Sequence, residues 1–178
     1  MDQSLYGELD RTIRAIPDFP KPGILFRDIA PIFLNPSLCE KTVDEMAKQL
    51  ANVEFDAIAG LEARGFLLGV PLATKLNKPF IMVRKAGKLP GKTIQKEYDL
   101  EYGTAKIEIQ EEAIKPGTKV LIHDDLLATG GTALACSHLI EKAGGKIAGC
   151  MFIIELDGLE GRQKLETNVK NVVSLLKY

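Results

Sequence analysis

The segment that most constrains this chain is Val120-Leu121-Ile122-His123-Asp124-Asp125-Leu126-Leu127-Ala128-Thr129-Gly130-Gly131-Thr132-Ala133. An apolar run of the kind that forms a central strand ends in two adjacent carboxylates, and a short turn of small residues then opens a helix. A helix start offers unpaired backbone N–H groups and the positive end of a dipole, while Gly130 and Gly131 allow close backbone approach to a ligand. Thr129 and Thr132 add hydroxyl donors. These features suit a phosphate, yet Asp124 and Asp125 would repel one set beside them. The ligand that fits therefore carries phosphate at one end and hydroxyls or a positive centre at the other, the shape of a ribose 5-phosphate. The segment matches neither GxxxxGK[ST] nor GxGxxG, so nucleotide loops of those two kinds are set aside.

The rest of the chain alternates short apolar runs with helical periodicity. Strands are expected at 55–59, 79–84, 103–110, 119–123, 146–155 and 172–176. Helices are expected at 5–16, from Asn35-Pro36-Ser37 to about residue 52, and at 64–76, 131–143 and 159–165. Such alternation is the pattern of an α/β fold with a mainly parallel sheet. A length of 178 residues and 46% hydrophobic composition suit a single domain over 1–178. The one long irregular stretch is 85–97, which holds Gly87, Pro90 and Gly91 and no apolar periodicity; loops of that length are usually functional or mobile. In 103–110 the apolar positions Ala105, Ile107 and Ile109 alternate with polar ones, the pattern of a half-exposed strand.

Lysine and arginine total 23 against 24 acids, a net charge of −1, so no global basic surplus draws the protein to nucleic acid or an anionic membrane. The charge is instead segregated locally: between Glu62 and Glu97 there is no acid, while Arg64, Arg84, Lys85, Lys88, Lys92 and Lys96 fall there with Lys75 and Lys78. Lys75, Lys78, Lys92 and Lys96 read as solvated. Arg64 follows an expected strand end, which places it on the same sheet edge as the glycine turn if the strands are parallel. The N-terminal residues carry acids where a signal peptide has an apolar core, and no apolar run approaches the ~18 residues of a membrane span. The expected location is cytoplasmic. Cys39, Cys136 and Cys150, odd in number and far apart, are expected to be reduced, buried thiols.

Asp124-Asp125 with Ala128-Thr129-Gly130-Gly131-Thr132 resembles the phosphoribosyl pyrophosphate signature of the type I phosphoribosyltransferases. The resemblance implies that the two acids hold the ribose hydroxyls and that Ala128, Thr129, Gly130, Gly131 and Thr132 hold the 5-phosphate. His123 departs from the aliphatic residue usual there and reads as a packed strand residue. Three further stretches resemble the adenine-using branch of that family. Through 60–66 and 83–90, Arg64, Arg84 and Lys88 match residues that face pyrophosphate, and Glu62-Ala63 matches a position that is unusually cis. In 97–104, Glu101 matches the residue that takes the proton of adenine N9, and Tyr102 one that covers the reaction centre; without the resemblance Glu101 reads as a strand-edge carboxylate. In 18–29, Phe26 matches a ring that stacks on the purine while backbone groups of Leu25 and Arg27 read its edge.

The resemblance thus implies a twisted, mainly parallel sheet flanked by helices, an N-terminal hood over 1–34 and a lid loop over 85–98. It implies the conversion of adenine and phosphoribosyl pyrophosphate to AMP and pyrophosphate, a purine salvage step, with Glu101, Tyr102 and Arg64 in catalysis. Mg²⁺ is expected as cofactor, bound mainly through substrate oxygens rather than by protein side chains. A homodimer is implied, with Arg64 and Arg84 near the contact. Two alternatives stay open at this point: a regulator that only senses phosphoribosyl pyrophosphate, and an enzyme for 6-oxopurines.

Overall fold

The structure is a computed structural model that describes residues 3–100 and 103–178. In chain order the elements are α1 (Gln3–Thr12), β1 (Arg14–Pro17), β2 (Leu25–Asp28), α2 (Ala30–Phe33), α3 (Pro36–Gln49), β3 (Ala57–Leu61), α4 (Arg64–Lys75), β4 (Phe80–Lys85), β5 (Thr93–Leu100), β6 (Gly103–Gln110), β7 (Lys119–Leu127), α5 (Gly131–Lys142), β8 (Lys146–Glu155), α6 (Gly161–Glu166) and β9 (Val172–Lys177). Seven strands form one sheet in the order β5-β6-β4-β3-β7-β8-β9. From β4 to β9 all pairings are parallel, and β5 and β6 form an antiparallel hairpin joined to the β4 edge.

The period-two geometry of a strand divides the sheet's side chains between two cores. Ala57, Ala59, Val120, Ile122, Cys150 and Phe152 pack with Cys136, Leu139 and Ile140 of α5 on one face. Their neighbours Ile58, Leu121, Met151 and Ile153 pack with Leu38 and Met46 of α3 and Leu68 and Leu72 of α4 on the other. Fully burying a side chain of this size contributes about 1.5–3 kcal/mol, so the alternation fixes which face every strand residue takes. The switch from sheet to helix is local chemistry in places: Pro36 occupies the first turn of α3, and the Asn35 side chain accepts a 3.1 Å hydrogen bond from the Leu38 N–H.

Several boundaries differ from the sequence expectation. The first helix stops at Thr12 rather than at residue 16, because 14–17 pair with 25–28 as a hairpin reinforced by the Arg14–Asp28 ion pair. Strand β3 lies two residues later than expected, and α6 begins at Gly161 after Glu160 adopts a left-handed backbone (φ 54°). The stretch read as irregular over 85–97 contains the first residues of β5, whose partner β6 supplies the hydrogen-bond ladder from Thr93 to Leu100. Finally, β7 continues through both aspartates to Leu127, since β8 runs beside it as far as the Leu127–Glu155 pair.

Candidate active site

The glycine turn sits at the carboxyl end of β7, the sheet edge where ligands of open α/β folds bind. Gly130 has φ 73°, a left-handed conformation that suits glycine, and no side chain caps the start of α5. Residues Ala128 to Thr132 and the Asp124 side chain line a cavity of about 190 Å³. The turn itself is backed by the start of α6. A Cβ at Gly161 would come within 2.0 Å of the Ala128 carbonyl oxygen, and one at Gly130 within 2.7 Å of the Gly161 oxygen. Two glycines therefore let two backbones touch. At the mouth, Thr132 Oγ1 donates to the Tyr98 hydroxyl at 3.3 Å, so β5 leans on the first turn of α5.

Because β7 continues through both acids, Asp124 and Asp125 point to opposite faces of the sheet. Asp124 lines the cavity, its Oδ1 accepting from the Asp125 N–H at 2.9 Å. Burial, and then the neighbouring Asp125 charge, push the Asp124 carboxyl well above the usual range. Asp125 is buried and lies against Arg64, the first residue of α4, with Arg64 Nε 2.9 Å from Asp125 Oδ2. The angle falls short of a hydrogen bond, so the contact is an ion pair in which Oδ2 meets no aligned donor among the described residues. The same guanidinium stands 5.1 Å from the centroid of the Phe26 ring, and Phe19 meets that ring edge-on at 5.0 Å. Arg27, next along β2, lies 3.7 Å over the ring of Tyr178, whose hydroxyl donates to Asp10 at 2.7 Å. The strand that carries 25–27 is thus tied both to the sheet end and to α1.

The basic stretch is ordered by acids. Arg84 Nη2 pairs with Glu62 Oε1 at 2.6 Å and Arg84 Nη1 donates to the Lys88 carbonyl at 3.0 Å, while Glu62 Oε2 accepts from the Lys85 N–H at 2.8 Å. The Arg84 hydrogen bond holds Glu62 below its ordinary range. The Glu62-Ala63 peptide is cis. Lys75 pairs with Asp44 at 2.7 Å.

Glu101 and Tyr102 lie outside the described residues. The remaining expected residues fall into three groups: the cavity, the Phe26–Arg64–Asp125 contact, and the Arg84–Lys88 turn. His123 is buried, with Nδ1 donating to the Met151 carbonyl at 2.8 Å and burial lowering its pKa to about 4, which fits packing. Cys136 and Cys150 are buried and Cys39 is half-buried, all unpaired.

Local sequence pattern does not single out Glu108, Gly161 or Tyr178 as parts of the site, and it gives Glu62 no ion-pair partner. The alternation along 103–110 puts Glu108 on the exposed side of a half-exposed strand, whereas it is 1% exposed. β5 and the turn before it cover that face, a fact no local periodicity carries.

The phosphoribosyl transferase domain pattern matches residues 33–177. The chain is 54% identical over 163 residues to the adenine phosphoribosyltransferase of Butyrivibrio fibrisolvens, covering 92% of this chain and 91% of that one. It superposes on the crystal structure of adenine phosphoribosyltransferase from Thermoanaerobacter pseudethanolicus with a TM-score of 0.94 at 46% identity, covering 97% of this chain and 99% of that one. The Saccharomyces cerevisiae enzyme, solved with adenine and an imino-altritol bisphosphate, gives a TM-score of 0.90 at 44% identity over 97% of this chain and 99% of that one.

Proposed function

The chain belongs to the phosphoribosyl transferase domain family, and from that premise we propose that it joins adenine to the ribose of phosphoribosyl pyrophosphate, releasing AMP and pyrophosphate in purine salvage. The protein is a glycosyltransferase in class, as its adenine phosphoribosyltransferase relatives are. The observation that carries the reading is the cavity between Asp124 and the turn 128–132, placed at the carboxyl end of the central strand β7.

In this reading the backbone N–H groups of Ala128, Thr129, Gly130, Gly131 and Thr132, with the two threonine hydroxyls, hold the 5-phosphate. Asp124 and Asp125 accept hydrogen bonds from the ribose hydroxyls. Arg64, Arg84 and Lys88 face pyrophosphate, and each charge-assisted hydrogen bond contributes about 1.5–3 kcal/mol. Phe26 stacks on adenine and the backbone groups of Leu25 and Arg27 read its edge, so that a base with a carbonyl in place of the amino group leaves buried polar groups unpaired.

The bond from C1 to the pyrophosphate oxygen breaks as the bond from C1 to N9 forms. Glu101 takes the N9 proton while Tyr102 covers the centre. The acids' negative field steadies the oxocarbenium-like C1, and the segment 85–98 excludes water that would hydrolyse the sugar. Among the described residues no group of three or more His, Cys, Asp or Glu side chains could hold a metal ion. In this reading Mg²⁺ would be held mainly by substrate oxygens, with Asp124 and Asp125 orienting the sugar, and when bound it would neutralise charge on the departing pyrophosphate.

We also propose a homodimer, supported by the exposed apolar side chains Leu67 and Val70 of α4 and Met82 of β4. Sedimentation at micromolar protein tests it. Among the described residues no helix is long and apolar enough to cross a membrane; a cytoplasmic location is supported by the three unpaired thiols.

A base panel tests the function. AMP formed from adenine, with hypoxanthine and guanine poor substrates, is expected. Preference for hypoxanthine would overturn the role of Leu25 to Arg27, and tight phosphoribosyl pyrophosphate binding without AMP would favour a regulator.

A further inference from the structure

We propose that Glu108 is a positioning residue for the pyrophosphate side of the site: its carboxylate grips the backbone of the Lys88 turn and so fixes where Lys88 stands. The proposal rests on the transferase reading above. Glu108 lies on β6 opposite Arg84 of β4, and at 1% exposure it is as buried as the core aliphatics. Oε1 accepts from the N–H groups of both Lys88 and Leu89 at 2.9 Å, and Oε2 accepts from Thr93 Oγ1 at 3.1 Å and Gln95 Nε2 at 3.0 Å. These four bonds join the turn to the first residues of β5 through a single carboxylate.

The physics of the contact explains why an acid is there. A buried carboxylate needs several donors or a cation to remain charged. Burial works against the charge here, yet the N–H groups of Leu89, Gly87 and Lys88 outweigh it and hold the carboxyl below its usual range. The turn is held from its other side as well, because the Lys88 carbonyl accepts from Arg84, which is itself fixed by Glu62. The Lys88 backbone is therefore clamped at N–H by Glu108 and at C=O by Arg84. Gly87 and Gly91, with φ of 82° and 78° and open space where a Cβ would stand, let the chain bend on either side of the clamp. A general hairpin staple would serve stability alone; a clamp on the residue assigned to pyrophosphate serves one substrate and not the other.

The test is Glu108→Gln, which keeps the size but removes the charge and leaves one acceptor oxygen where two now serve four donors. The proposal expects the KM for phosphoribosyl pyrophosphate and the inhibition constant of pyrophosphate to rise between about tenfold and about a hundredfold, the scale of a misplaced binding group, with the adenine KM unchanged. Thr93→Val, which removes one donor from Oε2 and leaves the backbone clamp intact, is expected to change either constant less than about threefold. A folded Glu108→Gln protein with wild-type pyrophosphate inhibition overturns the proposal, and so does an adenine KM that rises in parallel. If Glu108→Gln does not fold, amide exchange in the wild-type protein decides: slow exchange at Lys88 and Leu89 supports the clamp, and exchange at the rate of an unstructured loop refutes it. Wild-type protein that makes no AMP sinks the transferase reading itself, whereas active wild type with an ordinary Glu108→Gln sinks only the clamp.

Discussion

Arg64 joins two parts of the site that the chain delivers from different elements: its Nε is 2.9 Å from Asp125 Oδ2 on β7, and its guanidinium carbon is 5.1 Å from the Phe26 ring on β2. One side chain at the start of α4 thus touches both the acid assigned to the sugar and the ring assigned to the base. Arg64→Gln is expected to lower kcat/KM for both substrates by roughly ten- to hundredfold, the loss of one or two charge-assisted contacts. Steady-state kinetics with each substrate varied in turn checks this; a loss confined to phosphoribosyl pyrophosphate would remove the link to the base.

Asp124 sits where the charged form of its carboxyl is disfavoured. Burial and the adjacent Asp125 raise its pKa well above the usual range, so the ionised form destabilises the ligand-free fold as pH rises through the folded value. Asp124→Asn keeps the shape and removes the charge. It is expected to raise the ligand-free Tm at neutral pH by about 2–4 °C, the shift that about 1 kcal/mol produces at this size, while weakening ribose 5-phosphate binding. A lower Tm together with wild-type affinity would contradict both halves.

Gly161 supports the glycine turn from outside it. With Ala128 O at 2.0 Å from the position of a Cβ, Gly161→Ala forces either α6 or the turn to move. The expected result is a rise in phosphoribosyl pyrophosphate KM of about tenfold or more with the adenine KM unchanged. Calorimetric titration with ribose 5-phosphate gives the same answer without turnover, and unaltered affinity would show that α6 yields instead.

Arg162 holds α6 in that place. Its Nε donates to Glu155 Oε1 at 2.7 Å and its Nη1 to the Val172 carbonyl at 2.7 Å, joining α6 to the ends of β8 and β9. The Arg162 hydrogen bond lowers Glu155 from its ordinary 4.5 to about 2. A depressed carboxylate stabilises the fold fully above its unfolded value and loses that contribution as pH falls toward the folded one, so the wild-type protein weakens between about pH 4.5 and 2. Arg162→Ala, which leaves the buried Glu155 carboxylate with only the Ser174 hydroxyl and Lys177 as partners, is expected to cost about 1.5–3 kcal/mol at pH 7 and to flatten that acid dependence. Urea unfolding across pH measures both, and an unchanged acid slope would assign it to other groups.

The sequence by itself determined the α/β alternation, the parallel sheet and the turn after the twin aspartates, because these depend on local hydrophobic period and on the special backbone freedom of glycine. Tertiary structure decided what depends on a distant partner. Strand β8 carries β7 through Asp124 and Asp125, so the two acids part to opposite faces. Pairing with 25–28 takes 14–17 out of the first helix, and the β5–β6 hairpin turns Glu108 from an expected surface acid into a buried clamp. Gly161 meets Ala128 only after α6 has folded back along the sheet. A one-residue pattern records burial on its own element; which backbone covers that element is set by contacts far away along the chain.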